Sequence, residues 1–234
     1  MDWPLTVDHP WDLSPDQAEA LQRRLAARVR SEPLAWTQVR FVAGLDAAYP
    51  QGKIRAAVAV LSFPKMDLVD VAVAEVDNPA PYMPGLLSFR EAPALLRALA
   101  RLRVRPNVLL VDGHGWAHPR RLGIASHIGV LLDWPTVGVA KAVLVGRPAG
   151  PLADEVGATV PLLHQGEVVA MGVRTRQGVK PVWVSVGHRV DLSSAVALVL
   201  RCGRGYRLPE PLRWAHRVAG GQPPPQPPAA RRLL

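Results

Sequence analysis

The sequence predicts an α/β fold, a mixed β-sheet flanked by helices. Three strand-like segments follow one another closely in the first third of the chain, and helical and strand patterns alternate after them. Of the 234 residues, 49% are apolar, enough to bury one large core. Strands joined by short links form an antiparallel meander, whereas strands separated by a helix pair in parallel, so one sheet holding both is mixed.

The stretch "SPDQAEALQRRLAARVRSE" (14–32) predicts an opening helix. Ser14 is placed to cap it, Pro15 suits the first helical position, and Gln17 completes a capping box. Ala18, Leu21, Leu25 and Val29 share one face, with arginines opposite. The three strands are expected at 40–49, 55–63 and 68–76, turned by "YPQGK" and "PKMD". A proline-rich loop opens "NPAPYMPGLLSFREAPALLRALARLRVRP" (78–106), and "PALLRALARL" then reads as a helix with Leu95, Leu96, Leu99 and Leu102 inward. A buried strand (107–112), a buried helix (121–133) and a short strand (135–141) come next, with parallel pairing expected. "EVVAMGVRT" (167–175) and "PVWVSV" (181–186) predict a hairpin, and 191–202 a helix capped by Asp191 and stopped by Gly203. One domain is expected over 1–219, followed by a proline-rich flexible tail over 220–234.

Composition narrows the function. A formal net charge of +9 favours an anionic partner, nucleic acid before an acidic membrane surface. Cys202 is the single cysteine, which excludes an intrachain disulfide and a thiolate-rich zinc site. The start, "MDWPLTVDHPWD", lacks the basic-then-apolar layout of a signal peptide, and no apolar run approaches the ~18 residues of a membrane span, so a cytoplasmic, membrane-free protein is expected. Neither a nucleophile elbow nor a phosphate-cradling P-loop occurs, which speaks against a small-molecule hydrolase.

The carboxylates carry the chemistry. Asp46 in "FVAGLDAAY" and Asp112 in "VLLVDGHG" each lie in or at the end of an apolar run, where a lone carboxylate is costly unless it is paired, hydrogen-bonded or metal-bound. Either one alone fits a strand-end aspartate that caps a loop; two, on strands that could be neighbours, fit that reading less well. Oxygen ligands suit magnesium or manganese. Glu91 reads in two ways. Ser88-x-x-Glu91 matches a capping box, but Pro93 would then fall in the second turn, and a helix starting nearer Pro93 would free Glu91 to point elsewhere. Two strand aspartates and a helix glutamate match the oxygen set of a metal-dependent phosphodiester cleavage site. Gly113 and Gly115 permit a close backbone approach to a ligand or an ordinary tight turn. His114, His118 and His127 read as ligands, proton carriers or satisfied polar contacts, and Arg120 and Arg121 as phosphate partners or a solvated surface pair.

The segments "PYMPGLLSFRE" (81–91), "VDGHGWAHPRRLGIASHIGV" (111–130), "PTVGVAK" (135–141), "GHRVD" (187–191) and "YRLPEPLRWAH" (206–216) resemble the signature segments of endonuclease V, in the same order and spacing, over roughly residues 10 to 218. The resemblance implies an RNase H-like fold and Mg²⁺-dependent nicking, with Mn²⁺ as a substitute, at deaminated adenine (hypoxanthine). The cut falls at the second phosphodiester bond on the 3′ side and leaves 3′-hydroxyl and 5′-phosphate ends. The implied partner is inosine-containing DNA, or RNA as in some relatives, and a monomer is expected. By matching motif, Asp46, Glu91 and Asp112 are the implied metal-binding acids, His216 is an implied active-site position that can approach the metal or its water, and Lys141 lies beside the reacting phosphate. Tyr82 matches a wedge that enters the duplex, while Gly85, Leu87, Gly115 and His118 are the implied pocket for a flipped base. Met83 departs from the family's usual isoleucine, and the tail matches nothing in the pattern. Two rival readings stay open: another nuclease of this fold acting on junctions or RNA:DNA hybrids, and a metal-free binding module, which three converging carboxylates would hinder.

Overall fold

The computed structural model describes residues 3–77 and 83–223 of the chain. Strands β1 (Phe41–Ala48), β2 (Lys53–Ser62) and β3 (Leu68–Asp77) form the expected antiparallel meander. Then follow α2 (Leu87–Ala100), β4 (Val108–Asp112), α3 (Ile124–Leu132) and β5 (Thr136–Ala140), after an opening helix α1 (Pro15–Ala26). β4 lies parallel to both β1 and β5. The second half adds β6 (Arg147–Pro148), β7 (Thr159–His164), β8 (Glu167–Val173) and β9 (Val182–His188), then α4 (Leu192–Arg201) and α5 (Glu210–Ala219). One nine-stranded sheet runs β3-β2-β1-β4-β5-β9-β8-β7-β6. Its meander followed by two parallel strands is the RNase H-like order; β9 and β8 form the expected hairpin on its far side.

Helices cover both faces. On one, α2 and α3 bury Leu95, Leu99, Ile124 and Ile128 against Ala43, Leu45, Leu109 and Val111. On the other, α4 and α5 bury Leu198, Val199, Leu212 and Ala215 against Val42, Leu110, Val137 and Val184. All nine residues of α3 are buried because α1 closes over its outer side through Leu21 and Leu25.

Two helices depart from their expected bounds, and two strands were not expected at all. α1 has the predicted Ser14–Gln17 capping box but stops at Ala26. Beyond it, the carbonyls of Arg30 and Glu32 accept the N–H groups of Arg189 and Asp191 at 2.7 and 2.6 Å, a tertiary pairing that outcompetes helix propensity. α2 starts at Leu87 and keeps Pro93 inside it. The apolar face of Ala92, Leu95, Ala98 and Leu99 offsets the hydrogen bond that proline removes. Strand β7 has Pro161 at its centre, paired with Met171, and β6 is only two residues long. Proline next to a sheet edge erases the usual strand signal. The expected tail falls outside the described residues from 224 onward.

Candidate active site

Asp46 lies near the end of β1 and Asp112 ends β4. The strands run in parallel register from Val42 beside Val108 to Leu45 beside Val111, and one more step sets Asp46 level with Asp112. Side chains alternate along a strand. Val42, Val108 and Leu110 face the layer of α4 and α5, and Asp46 and Asp112 share their parity. In β5, Val139 stands beside Asp112, so Lys141, two positions on, projects to the same side.

Helix α5 completes the group. A Cβ on Gly44 would lie 2.1 Å from the carbonyl oxygen of Pro211, so only glycine lets β1 approach the helix start this closely. A little over one turn later, His216 reaches over the strand end and its Nδ1 lies 2.6 Å from Asp46 Oδ2. The other Asp46 oxygen accepts the Ala47 N–H at 2.8 Å. The Lys141 ammonium donates to Asp112 Oδ2. Ligand atoms of Asp46, Asp112 and His216 all lie within 4.8 Å of one another. Metal–oxygen distances of about 2.0–2.6 Å place neighbouring ligands at that order of separation, so the three can hold one cation.

Glu91 comes from α2, which covers the opposite face of the sheet. It stands beside the close group of three, and its Oε1 accepts the hydroxyl of Tyr49. The Arg90 guanidinium lies 4.2 Å from the Tyr49 ring centroid. Ser88 leaves no capping box for Glu91 to complete, because its hydroxyl meets His127 Nδ1 at 2.9 Å.

Electrostatics favours a cation at this place. Burial pushes the Asp46 carboxyl up to about 6 and Asp112 adds to the rise, while Lys141 and His216 oppose it. Burial also pushes Glu91 up to about 7; the Tyr49 hydroxyl holds it down in part, and both aspartates raise it. Buried acids that repel one another fit a divalent ion, which would relieve both the repulsion and the lost hydration.

A cleft of about 270 Å³ opens beside this group. Gly85, Leu87 and His118 line it together with Gln22, Asp112 and Lys141. Gly115 is placed elsewhere. Its N–H donates to Ser185 Oγ at 2.9 Å, and a Cβ on it would lie 2.0 Å from the Val186 carbonyl oxygen, so it serves the packing of β9. His118 has both ring nitrogens engaged, Nε2 donating to Gly85 O at 3.0 Å and Nδ1 accepting the Arg120 N–H at 3.2 Å. Burial pushes it down to about 4, so it is neutral and offers the cleft a ring rather than a polar atom. His114 and His127 are satisfied polar contacts: one meets the Ala142 carbonyl at 2.9 Å, the other sits between Ser88 and His9. Arg120 and Arg121 are not a solvated pair, since they bind Glu19 and Glu167 respectively. Tyr82 lies outside the described residues.

Tyr49 and Gln22 join the site without a signal in the sequence. Tyr49 closes a strand like many aromatics, and Gln22 sits one position off the apolar stripe of α1.

An RNase H-like sheet that brings carboxylates, a lysine and a histidine to the ends of its central strands defines a nuclease class, the phosphodiester hydrolases that work around a bound cation. The family profile of endonuclease V matches residues 23–217. An endonuclease V of Gloeobacter violaceus is 52% identical over 214 residues, covering 89% of this chain and 86% of the relative. The crystal structure of endonuclease V from Streptomyces avermitilis aligns with a TM-score of 0.84 at 40% identity, over 93% of this chain and 96% of that one. The Ciona intestinalis endonuclease V, in complex with a 24-mer DNA containing an inosine followed by a ribo-adenosine, aligns with a TM-score of 0.74 at 28% identity, over 86% and 94%. The chain belongs to the endonuclease V family. Among the described residues, no helix is long and apolar enough to cross a membrane.

Proposed function

We propose that this chain is a Mg²⁺-dependent endonuclease acting on DNA that contains deaminated adenine. It nicks the second phosphodiester bond 3′ to hypoxanthine, leaves 3′-hydroxyl and 5′-phosphate ends, and so begins repair. It works as a monomer in the cytoplasm, and Mn²⁺ can replace Mg²⁺. The observation that carries this reading is the meeting of Asp46, Asp112 and His216 within 4.8 Å, beside a cleft that opens onto Asp112 and Lys141. The inosine-containing DNA bound by the Ciona relative supports the choice of substrate.

Asp46, Asp112 and His216 would hold the cation, with Glu91 joining from α2. A divalent ion supplies positive charge that stabilises the attacking and leaving oxygens of the displacement. The chain's own residues do the rest. Lys141 turns from Asp112 toward the phosphate and offsets its developing charge. His216, exposed on its outer side, would face the cation from α5 through the Nδ1 that now meets Asp46. Tyr49 keeps Glu91 aimed at the aspartates. Hypoxanthine leaves the stack and enters the cleft between Gly85, Leu87 and the neutral ring of His118.

End-labelled oligonucleotides carrying one inosine, as DNA and as RNA, test the reading with Mg²⁺, Mn²⁺ or EDTA. The expected result is a single nick one nucleotide beyond the lesion's 3′ neighbouring bond in DNA, dependent on the ion, with a 5′-phosphate product and no cut in the adenine control. Faster cutting of the RNA would move the substrate to inosine-containing RNA. Equal cutting of inosine and adenine strands would sink the lesion reading, and cutting in EDTA would sink the metal reading.

A further inference from the structure

The carbonyl oxygen of Gly85 is held by three side chains. Gln22 Nε2 lies 2.9 Å away, Arg120 Nη2 2.9 Å and His118 Nε2 3.0 Å. A carbonyl has two lone pairs, so three donors, one of them a cation, over-determine its direction. The donors are also tied to one another. Gln22 Oε1 accepts Arg120 Nε at 2.6 Å, Arg120 Nη1 pairs with Glu19 at 3.1 Å, and His118 Nδ1 accepts the Arg120 backbone N–H. Gly85 itself has φ +80°, and a Cβ there would sit 2.7 Å from Arg120 Nη2, so the grip requires glycine twice over.

Gln22 stands out in this group. It belongs to α1, which lies outside the sheet, and it is 1% exposed at the back of the cleft. An apolar side chain would fill that place at lower desolvation cost, and a buried amide is retained only where its hydrogen bonds serve something. Its Nε2 donates to Gly85 O, in the 83–86 segment that leads into α2, and at 3.3 Å to Leu122 O, while its Oε1 holds the Arg120 guanidinium that reaches the same Gly85 carbonyl. Gly85 and Leu87 from that segment and helix start form a wall of the cleft.

We infer that Gln22 is a positioning residue for base recognition: with Arg120 and His118 it locks the Gly85 peptide, so that the wall formed by Gly85 and Leu87 keeps the shape that admits hypoxanthine and rejects adenine. The inference rests on the proposed lesion specificity. Gln22 touches no reacting atom, so its effect falls on binding and discrimination and spares the chemical step.

The test is Gln22→Glu in the full chain. The carboxylate keeps its length and its partner Arg120 but turns an acceptor toward the Gly85 carbonyl. On an inosine duplex, KM is expected to rise about tenfold, as for loss of one well-made hydrogen bond, with kcat within about twofold. The ratio of inosine to adenine cutting is expected to fall by about the same tenfold. Arg120→Lys, which keeps the charge but cannot fork between Gly85 and Gln22, carries the same expectation and serves if Gln22→Glu does not fold. Unchanged KM and lesion preference in a folded variant overturns the inference. So does a parallel loss on both substrates that follows the unfolded fraction, because a merely structural glutamine would behave that way. A native protein with no inosine preference would instead overturn the proposed function, so the two failures are distinguishable.

Discussion

Two buried aspartates on the same sheet, Asp46 of β1 and Asp70 of β3, show what separates a site from a strut. Asp46 is 8% exposed and Asp70 4%. Asp70 is surrounded by donors. Its Oδ2 accepts the backbone N–H groups of Arg103 and Val104 at 2.6 and 3.0 Å, and its Oδ1 takes the Val71 N–H at 3.0 Å and Arg103 Nη2 at 3.3 Å. It ties the connection after α2 to the sheet. Asp46 has one backbone donor and His216, and it faces a second carboxylate. Burial alone marks neither role; what differs is whether the neighbours satisfy the charge or add to it.

Substituting both residues in the same way separates the two environments most strongly. Asp46→Asn is expected to slow nicking at least about a thousandfold, ~4 kcal/mol of transition-state stabilisation, while retaining affinity for the inosine duplex. Asp112→Asn should match it. Asp70→Asn should do the reverse: nicking by the folded protein stays within about twofold, and denaturation shows a loss of about 1–3 kcal/mol because an amide N–H₂ now meets backbone N–H groups. Full activity in Asp46→Asn would place the chemistry elsewhere.

A second difference follows from proton linkage. Asp46 rises from 3.8 to about 6 and Glu91 from 4.5 to about 7, both foremost by burial. An acid whose folded value exceeds its unfolded one binds more protons when folded, so stability falls as pH rises between the two. In EDTA-treated protein this contribution is full below about pH 4 and is lost as pH climbs through 6 and 7, together on the order of a few kcal/mol. Lys141, His216 and Arg90 surround the two acids and limit the loss. Urea denaturation from pH 4.5 to 8 should show the slope. Asp46→Asn should flatten it, and Mg²⁺ should restore stability at pH 8. A slope unchanged by Asp46→Asn would remove this group from the account.

The same contrast measures how much was legible in the sequence. The meander, the parallel strands and the helices on both faces follow from period and turn chemistry, whereas the register that levels Asp46 with Asp112 is set in the folded sheet. Asp46 was visible because it interrupts an apolar run. Asp70 was not, because "LVDVAVAEV" alternates and a polar residue there reads as solvent-facing. The place of His216 above Asp46 depends on Gly44 against Pro211, a contact between residues far apart that no local pattern encodes. Histidines were the least legible, since the same residue type closes polar networks at His127 and His118 and meets a carboxylate at His216. The motif resemblance rather than the spacing singled out His216 and Lys141, and it placed Gly115 in a cleft that the residue does not line.

Tyr49 offers the finest version of the comparison, because it is a neutral donor that treats Glu91 as backbone treats Asp70. Its hydroxyl donates to Glu91 while Arg90 covers the ring, and burial with the adjacent carboxylate pushes its own ionisation upward, so it remains a donor throughout the working range. Tyr49→Phe keeps the ring and the Arg90 contact and removes only the hydrogen bond. Loss of about 1 kcal/mol corresponds to a nicking rate about fivefold lower at limiting Mg²⁺. If Glu91 joins the cation, saturating Mg²⁺ should recover most of that loss, because the ion takes over the orientation of the carboxylate that the hydroxyl supplied. A deficit that persists at every Mg²⁺ concentration would instead assign Tyr49 to the substrate and leave Glu91 outside the metal's reach.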